Sequence, residues 1–461
     1  MATRKQFNTL FLADSYKISH HLQYPPDTTT IFSYFESRGG KWDKTVFFGL
    51  QYIIKKYLLG VVVSKDMIDE AEELFRKHLG PNIFNRAGWE HILSKHGGKL
   101  PVRIRAVPEG TIVSTRNVLF TVENTDPEVA WITNYLETLL VQAWYPITVA
   151  TNSWACKQLM IQYLEQTADT FNTLPFMLHD FGYRGVSSVE TAGIGGAAHL
   201  VNFQGTDTLA GVVVARECYG AAMAGVSVPA TEHSTMTTWG REGEEEAIRS
   251  ILGKIKGGVG VVVDSYDIWN VLDNILGKEL KELVENREGF LGVRPDSGDP
   301  TVVVVKVLDI LGEKFGYSNN GKGFKVLPKF LKVIQGDGIS YDSLGPIMDS
   351  VVKGGWSVEN LVFGSGGALL QRLDRDTQRC AFKCSMAVVG GEEREVYKDP
   401  VDDPGKKSKK GRLVLVRDGE GWRTVTEEER GDREDQLVTV FQDGELVKEW
   451  GWEEVKARAN I

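Results

Sequence analysis

From about Phe176 onward the chain repeats one pattern: a short apolar run ends in a polar or glycine-rich cluster, and a helical pattern usually follows. The runs occupy 176–185 (FMLHDFGYRG), 209–220 (LAGVVVARECYG), 258–272 (GVGVVVDSYDIWNVL), 290–300 (FLGVRPDSGDP), 331–340 (LKVIQGDGIS) and 360–373 (NLVFGSGGALLQRL). Uninterrupted Val/Ile/Leu runs separated by helices read as parallel strands buried on both faces. That narrows the region to an α/β barrel or an open doubly wound sheet. Asp180, Asp264, Arg294, Asp296, Asp337 and Ser365 then fall at or just past the carboxyl ends of predicted strands. In both architectures that rim binds ligands. Asp and Gly are also ordinary loop and cap residues, so the set carries the argument and no single position does.

The flanks follow a different grammar. Residues 1–145 mix short segments: 61–79 has helical spacing and an acidic start, 101–122 alternates around a PEG turn like β-hairpin material, and 126–163 reads as buried helix. Beyond Asp374 the helical units stop. The stretch 399–412 (DPVDDPGKKSKKGR) reads as a solvated hairpin loop, its basic run being too nonspecific for a targeting signal. Two strand-like segments follow, the second with an Asp-Gly hairpin turn.

With 461 residues, 42% of them hydrophobic, the chain can bury a core without staples. Its formal charge of −9 excludes wholesale binding to nucleic acid or an anionic membrane, so the cations for any polyanionic ligand must be gathered locally. Four cysteines exclude a disulfide scaffold and fit a reducing compartment. Cys380 and Cys384 are too isolated for a zinc site. The start of the chain lacks a secretory pattern, and 138–156 is too interrupted for a membrane span, so the expected location is the cytosol.

Three motifs carry chemistry. GSGG at 364–367 follows a predicted strand and opens a helix, where small residues let backbone N–H groups approach a phosphate; tight turns need glycine too. On that reading Arg375 lies about two turns further along the helix as a further cation. RPDSGDP at 294–300 places one cation and two carboxylates on a loop, which suits a phosphorylated sugar or, failing that, an internal ion pair. His233, in PATEHSTMTTWG, sits among hydroxyls and Glu232, either facing a phosphate or serving as a loop histidine. No HExxH is present.

LADSYKISH (12–20), YFESRGG (34–40), HDFGYRGVSS (179–188), GTDT (205–208), PATEHS (229–234), DSYD (264–267), RPDSG (294–298), QGDG (335–338), FGSGGALLQ (363–371) and FKCS (382–385) together resemble the nicotinamide phosphoribosyltransferases, in order, from about residue 8 to about residue 445. The resemblance implies a type II phosphoribosyltransferase fold. That is an irregular α/β barrel over 146–376, flanked by an α+β domain built from both chain ends, 1–145 and 377–461. It implies transfer of a phosphoribosyl group from 5-phosphoribosyl 1-pyrophosphate to nicotinamide with Mg²⁺, in a homodimer with sites at the subunit interface. A nicotinate enzyme of the same fold and a non-catalytic nucleotide-binding relative are the alternatives.

The resemblance also implies roles. Phe181 and, from the other subunit, Tyr16 stack on the pyridine ring. Asp207 accepts from the carboxamide and repels a carboxylate, with Asp14 orienting that end. Arg184 and Arg294 lie near nicotinamide and ribose, and Asp264, Asp296 and Asp337 near ribose and pyrophosphate. Gly336 belongs to the same phosphoribosyl set. Gly366, Gly367 and Arg375 grip the 5′-phosphate. Arg38, Lys398 and Lys406 meet pyrophosphate or ATP phosphates, which gives the 399–412 loop a function. Ser227 and Gly260 line a channel, Gly260 standing where the family pattern often has serine. His233 matches a histidine phosphorylated by ATP, a stimulatory co-substrate. No metal is ligated directly by a dedicated protein site, since Mg²⁺ is held mainly through pyrophosphate.

Overall fold

The structure is a computed structural model and describes residues 7–402, 407–419 and 421–460. Lys406 therefore lies outside the described residues. Contacts divide the chain into two compact units. One comprises Asn152–Arg216 and Ala222–Leu373; the other comprises both chain ends, up to Thr151 and from Asp374, together with Glu217–Ala221.

The first unit is built on six parallel strands: β1 Leu178–Asp180, β2 Gly205–Thr206, β3 Val259–Val262, β4 Leu291–Arg294, β5 Leu331–Gln335 and β6 Leu361–Ser365. They lie in the order β2-β1-β6-β5-β4-β3. The segment 226–230 bridges both sheet edges, pairing Val226 with Gly205 and Ala230 with Gly260, and so turns the sheet into an irregular barrel. Val259, Val261, Val293, Val333 and Phe363 are buried on one face of the sheet, and Val262 and Ile334 on the other. Helix Pro300–Phe315 follows β4, its Asp299 cap accepting from the Thr301 amide at 2.9 Å with proline in the first turn. Helix Tyr341–Lys353 follows β5 behind a Ser340 capping box.

Two expectations fail here. The run 209–220 is the helix Leu209–Tyr219. Its small residues set the packing: a Cβ on Gly211 would stand 2.7 Å from the Gly196 carbonyl carbon, so the helix presses against Val189–Leu200, while Leu209 and Val213 face out. The helix after GSGG ends at Leu370, after one turn, where the Gln371 and Arg372 amides both bond the Gly367 carbonyl at 2.8 Å. Arg375 is therefore not on it.

The unit of the chain ends carries a seven-stranded sheet whose paired neighbours run antiparallel, with Thr28–Ser37 between Val118–Asn124 and Cys380–Val389. Phe35 stacks on Phe120 with centroids 4.8 Å apart in its core. The hairpin material at 101–122 contributes Val102–Ala106, paired with Val118–Asn124, while Ile112–Ser114 pairs with Lys44–Val46. The expected helix is Lys65–His78, capped by Ser64. Asp443 and Gly444 both take positive φ, 51° and 84°, in the hairpin joining Val438–Gln442 to Glu445–Leu446. Glu217–Ala221 is tied in through Tyr219, whose hydroxyl donates to buried Glu109 at 2.7 Å. No described helix is long and apolar enough to cross a membrane.

Candidate active site

At the carboxyl end of β1 the chain places His179, Asp180 and Phe181 in succession, and the strand's alternation sends them different ways. Asp180 points inward and is buried; its Oδ1 accepts from the Gly182 amide at 2.7 Å, fixing the turn that follows. Burial pushes its carboxyl up to about 6, against that hydrogen bond. Its Oδ2 and the Thr208 hydroxyl are both buried beside Gly196, where the hydroxyl also pulls the carboxyl down against burial. Phe181 is anchored through its amide to the Ser365 carbonyl at 2.9 Å. Its ring lies against the bare backbones of Gly364 and Gly336.

Two cavities meet around Phe181, Asp207 and Arg294, which line both. The smaller, about 350 Å³, is a largely apolar slot that also touches His179, Ser227, Gly260 and Ile334. The larger, about 530 Å³, is walled by Arg184, Asp296, Gly336, Asp337, Gly366 and Gly367. Phe181, Asp207, Arg294 and Gly366 thus converge on one chamber. Arg184 belongs to the larger chamber and not to the slot. A Cβ on Gly260 would stand 3.3 Å from the Ala230 methyl, so this wall is tight even for a small side chain.

Asp207 is half-exposed and well held. Burial raises its carboxyl, but hydrogen bonds from His179 and Ser227 and the charge of Arg294 outweigh it and keep the group below its usual range. The buried Nε of Arg294 has no hydrogen-bond partner among the described residues, as expected of a guanidinium kept for a ligand. Among the described residues Asp296 and Asp337 have no side-chain hydrogen bond, and they present hard oxygen donors of the kind Mg²⁺ takes.

Behind Asp296 lies Asp264, almost fully buried, whose Oδ2 accepts from the Asp296 amide at 3.2 Å and the Ser297 hydroxyl at 2.5 Å. Its Oδ1 meets His233 Nε2 at 3.1 Å. His233 opens the short helix His233–Thr237 and is about half-exposed.

The other predicted cations lie in the unit of the chain ends. Arg38, Arg375 and Lys398 line a cavity of about 640 Å³ there, joined by Arg116, Arg379, Lys383, Lys407 and Lys409 against the acids Glu36 and Asp376. Glu36 pairs with Arg38 at 2.8 Å and also with Lys409. This is the local gathering of cations that an acidic chain needs for a polyanion. Asp14 and Tyr16 belong to this unit too: Asp14 Oδ2 accepts from Thr138 at 2.9 Å, and Tyr16 is exposed. Among the described residues, His91, His96 and Asp126 form the group whose donor atoms could share an ion, also in this unit. Both rings already donate to Asp126 Oδ2, at 2.8 and 2.6 Å.

The comparisons with known proteins cover the same ground. Residues 176–445 match the nicotinate phosphoribosyltransferase (NAPRTase) family, and residues 8–104 match the nicotinamide phosphoribosyltransferase N-terminal domain. A nicotinamide phosphoribosyltransferase of Xanthomonas campestris pv. campestris is 50% identical, over 98% of both chains. The chain belongs to the nicotinamide phosphoribosyltransferase family. A second member, from Acinetobacter baylyi, is 33% identical over 98% of this chain and 97% of its own. The fold is shared more widely. The crystal structure of nicotinate-nucleotide pyrophosphorylase from Pyrococcus furiosus superposes with a TM-score of 0.63 at 16% identity, covering 100% of this chain and 96% of that one.

Within this family fold, three residues escaped the sequence reading: His179, Asp180 as a buried acid, and Gly364 as the floor under Phe181. His179 was visible only as part of HDFG, and Asp180 was placed on the ligand-binding rim, whereas the structure turns it inward and buries it. The signal for Gly364 was its place in a strand, where glycine marks close approach of another group.

Proposed function

We propose that this protein transfers the phosphoribosyl group of 5-phosphoribosyl 1-pyrophosphate to nicotinamide, releasing nicotinamide mononucleotide and pyrophosphate in NAD salvage. The observation that carries the reading is the junction at Phe181, Asp207 and Arg294, where an apolar slot opens into a glycine-walled chamber. A flat ring fits the first and a sugar polyphosphate the second.

No protein nucleophile is required. As pyrophosphate leaves, C1 of the ribose develops positive charge, and the pyridine nitrogen must already stand in line. Phe181 stacks on the ring and fixes its plane. Asp207 accepts from the carboxamide and repels a carboxylate in its place. Arg294 neutralises charge where ring and ribose meet, and the amides of Gly366 and Gly367 hold the 5′-phosphate, with Arg184 nearby. Mg²⁺ would be held mainly through the pyrophosphate, where it would offset the leaving charge, with Asp296 and Asp337 on the chamber wall beside it. Tyr16 and Asp14 act from a second copy of the chain, making the working form a homodimer, and Arg38, Arg375 and Lys398, which line one cavity, meet the phosphates of the donor or of ATP. ATP phosphorylates His233 and so raises turnover. The expected location, from sparse cysteine usage, is the cytosol.

Product analysis tests the reading. Purified protein with the pyrophosphate donor and Mg²⁺ is given nicotinamide or nicotinate, and products are read by mass spectrometry. The expectation is nicotinamide mononucleotide, with kcat/KM favouring the amide about 100-fold or more. A preference for nicotinate overturns the substrate. No product from either at high enzyme concentration points to the non-catalytic relative.

A further inference from the structure

We propose that His179 is the positioning residue behind amide selectivity, holding the Asp207 carboxylate in the orientation that turns one oxygen toward the substrate; this rests on the substrate reading above. The Ser227 hydroxyl has one proton, and it goes to Asp207 Oδ1. His179 Nε2 lies 3.2 Å from the same Oδ1 and 3.4 Å from Ser227 Oγ. Since the carboxylate only accepts and the serine proton is already committed, the Nε2–H of His179 serves both oxygens. One carboxylate oxygen thus carries both donors. The other, Oδ2, has no hydrogen bond among the described residues and is left for the carboxamide N–H. Tilting the carboxylate out of this orientation would break two hydrogen bonds at once.

The ring is set in place by the fold. His179 pairs across β1 and β2 with Gly205, and a Cβ at 205 would stand 2.6 Å from His179 Nδ1. Phe181 packs on it with centroids 5.2 Å apart, and the side chain is only 13% exposed. Position 205 must stay bare for the ring to reach Asp207. His179 also lines the slot, so a change there acts on Asp207 and the ring together. The test therefore has to separate orientation from bulk.

His179→Phe keeps the ring and removes the donor; His179→Gln loses the ring but puts an N–H near the Nε2 position. Full-length wild type and both variants are compared by kcat and KM for nicotinamide and nicotinate, and by calorimetric affinity for each ring without turnover. In the Phe variant, KM for nicotinamide should rise roughly tenfold with kcat within about threefold, and the amide-over-acid ratio should fall about tenfold. Gln should restore most of the ratio. If Phe does not fold, His179→Asn, too short to reach Asp207, should show the same loss. An unchanged ratio in Phe or Asn, or a Gln variant no better than Phe, overturns the proposal. Failure of the substrate reading shows separately, as wild type that binds and converts no nicotinamide.

Discussion

The ring of Phe181 rests on Gly364: a Cβ at position 364 would stand 1.9 Å from Phe181 Cε2. The glycine-rich stretch from the end of β6 into the turn that follows therefore has two jobs. Gly364 makes room for an aromatic ring, whereas Gly367 has nothing within 4 Å of its would-be Cβ and faces the larger chamber. Gly364→Ala must displace Phe181. It should lower kcat/KM for nicotinamide by about 100-fold and cost about 1–3 kcal/mol of stability through overpacking. Gly367→Ala should leave the melting curve and the nicotinamide KM alone and raise KM for the pyrophosphate donor. Equal effects of the two on nicotinamide would refute this division.

Asp180 gives a stability signature with a definite sign. Its folded carboxyl titrates near 6, above its ordinary value of 3.8, because burial disfavours the charge. The native state thus holds this proton more tightly than the unfolded chain, and the contribution is present below about pH 4 and lost as pH rises through 6. Asp180→Asn keeps the acceptor for the Gly182 amide and offers a donor toward Thr208. The variant should match wild type near pH 4 and be more stable by about 2 kcal/mol at pH 8, read by denaturant unfolding. A difference that does not vary with pH would show that the carboxyl is not titrating there.

Asp126 works in the opposite direction. Burial raises its carboxyl, but hydrogen bonds from His96, His91 and the Glu128 amide pull it down to about 2. A depressed folded value means stability that is present above about pH 4 and lost as pH falls through 2. Asp126→Asn should be less stable than wild type at pH 6 by about 1–2 kcal/mol, with the gap closing between pH 4 and pH 2. Thermal melts across that window check it.

The barrel was legible because its strands are short apolar runs that stop at Asp or Gly, and β1, β3, β4, β5 and β6 all lie within such runs. The run at 209–220 misled because a stretch of that length rich in small and β-branched residues does not fix its own period. What decides it is Gly211 packing on Gly196, a contact between distant positions. Legibility of the site divides in the same way. Phe181, Asp207, Arg294 and Gly366 could be named from motifs, and the fold brings them to one chamber. His179 could not, because its reach to Asp207 depends on which residue stands opposite it in β2. Arg375 was misplaced because the helix after GSGG closes after one turn, with the Gln371 and Arg372 amides both on the Gly367 carbonyl, and no residue type in that stretch announces so early a stop.

His233 is placed to accept a phosphoryl group. Its Nε2 faces Asp264 Oδ1 at 3.1 Å, and Asp264 is itself held by the Asp296 amide and the Ser297 hydroxyl. Asp264 thereby fixes which ring nitrogen carries the proton and leaves the lone pair on the other, on a ring about half-exposed. Such a nitrogen would attack the terminal phosphorus of ATP and displace ADP, leaving the phosphoryl group beside the loop carrying Asp296. Incubation with γ-labelled ATP should give an acid-labile, base-stable label on the protein. His233→Ala should abolish the label and retain slow, ATP-independent synthesis, whereas Asp264→Asn should weaken labelling and also disturb the Asp296 loop, raising KM for the pyrophosphate donor. A label that survives in the Ala variant would assign the phosphoryl group to another residue.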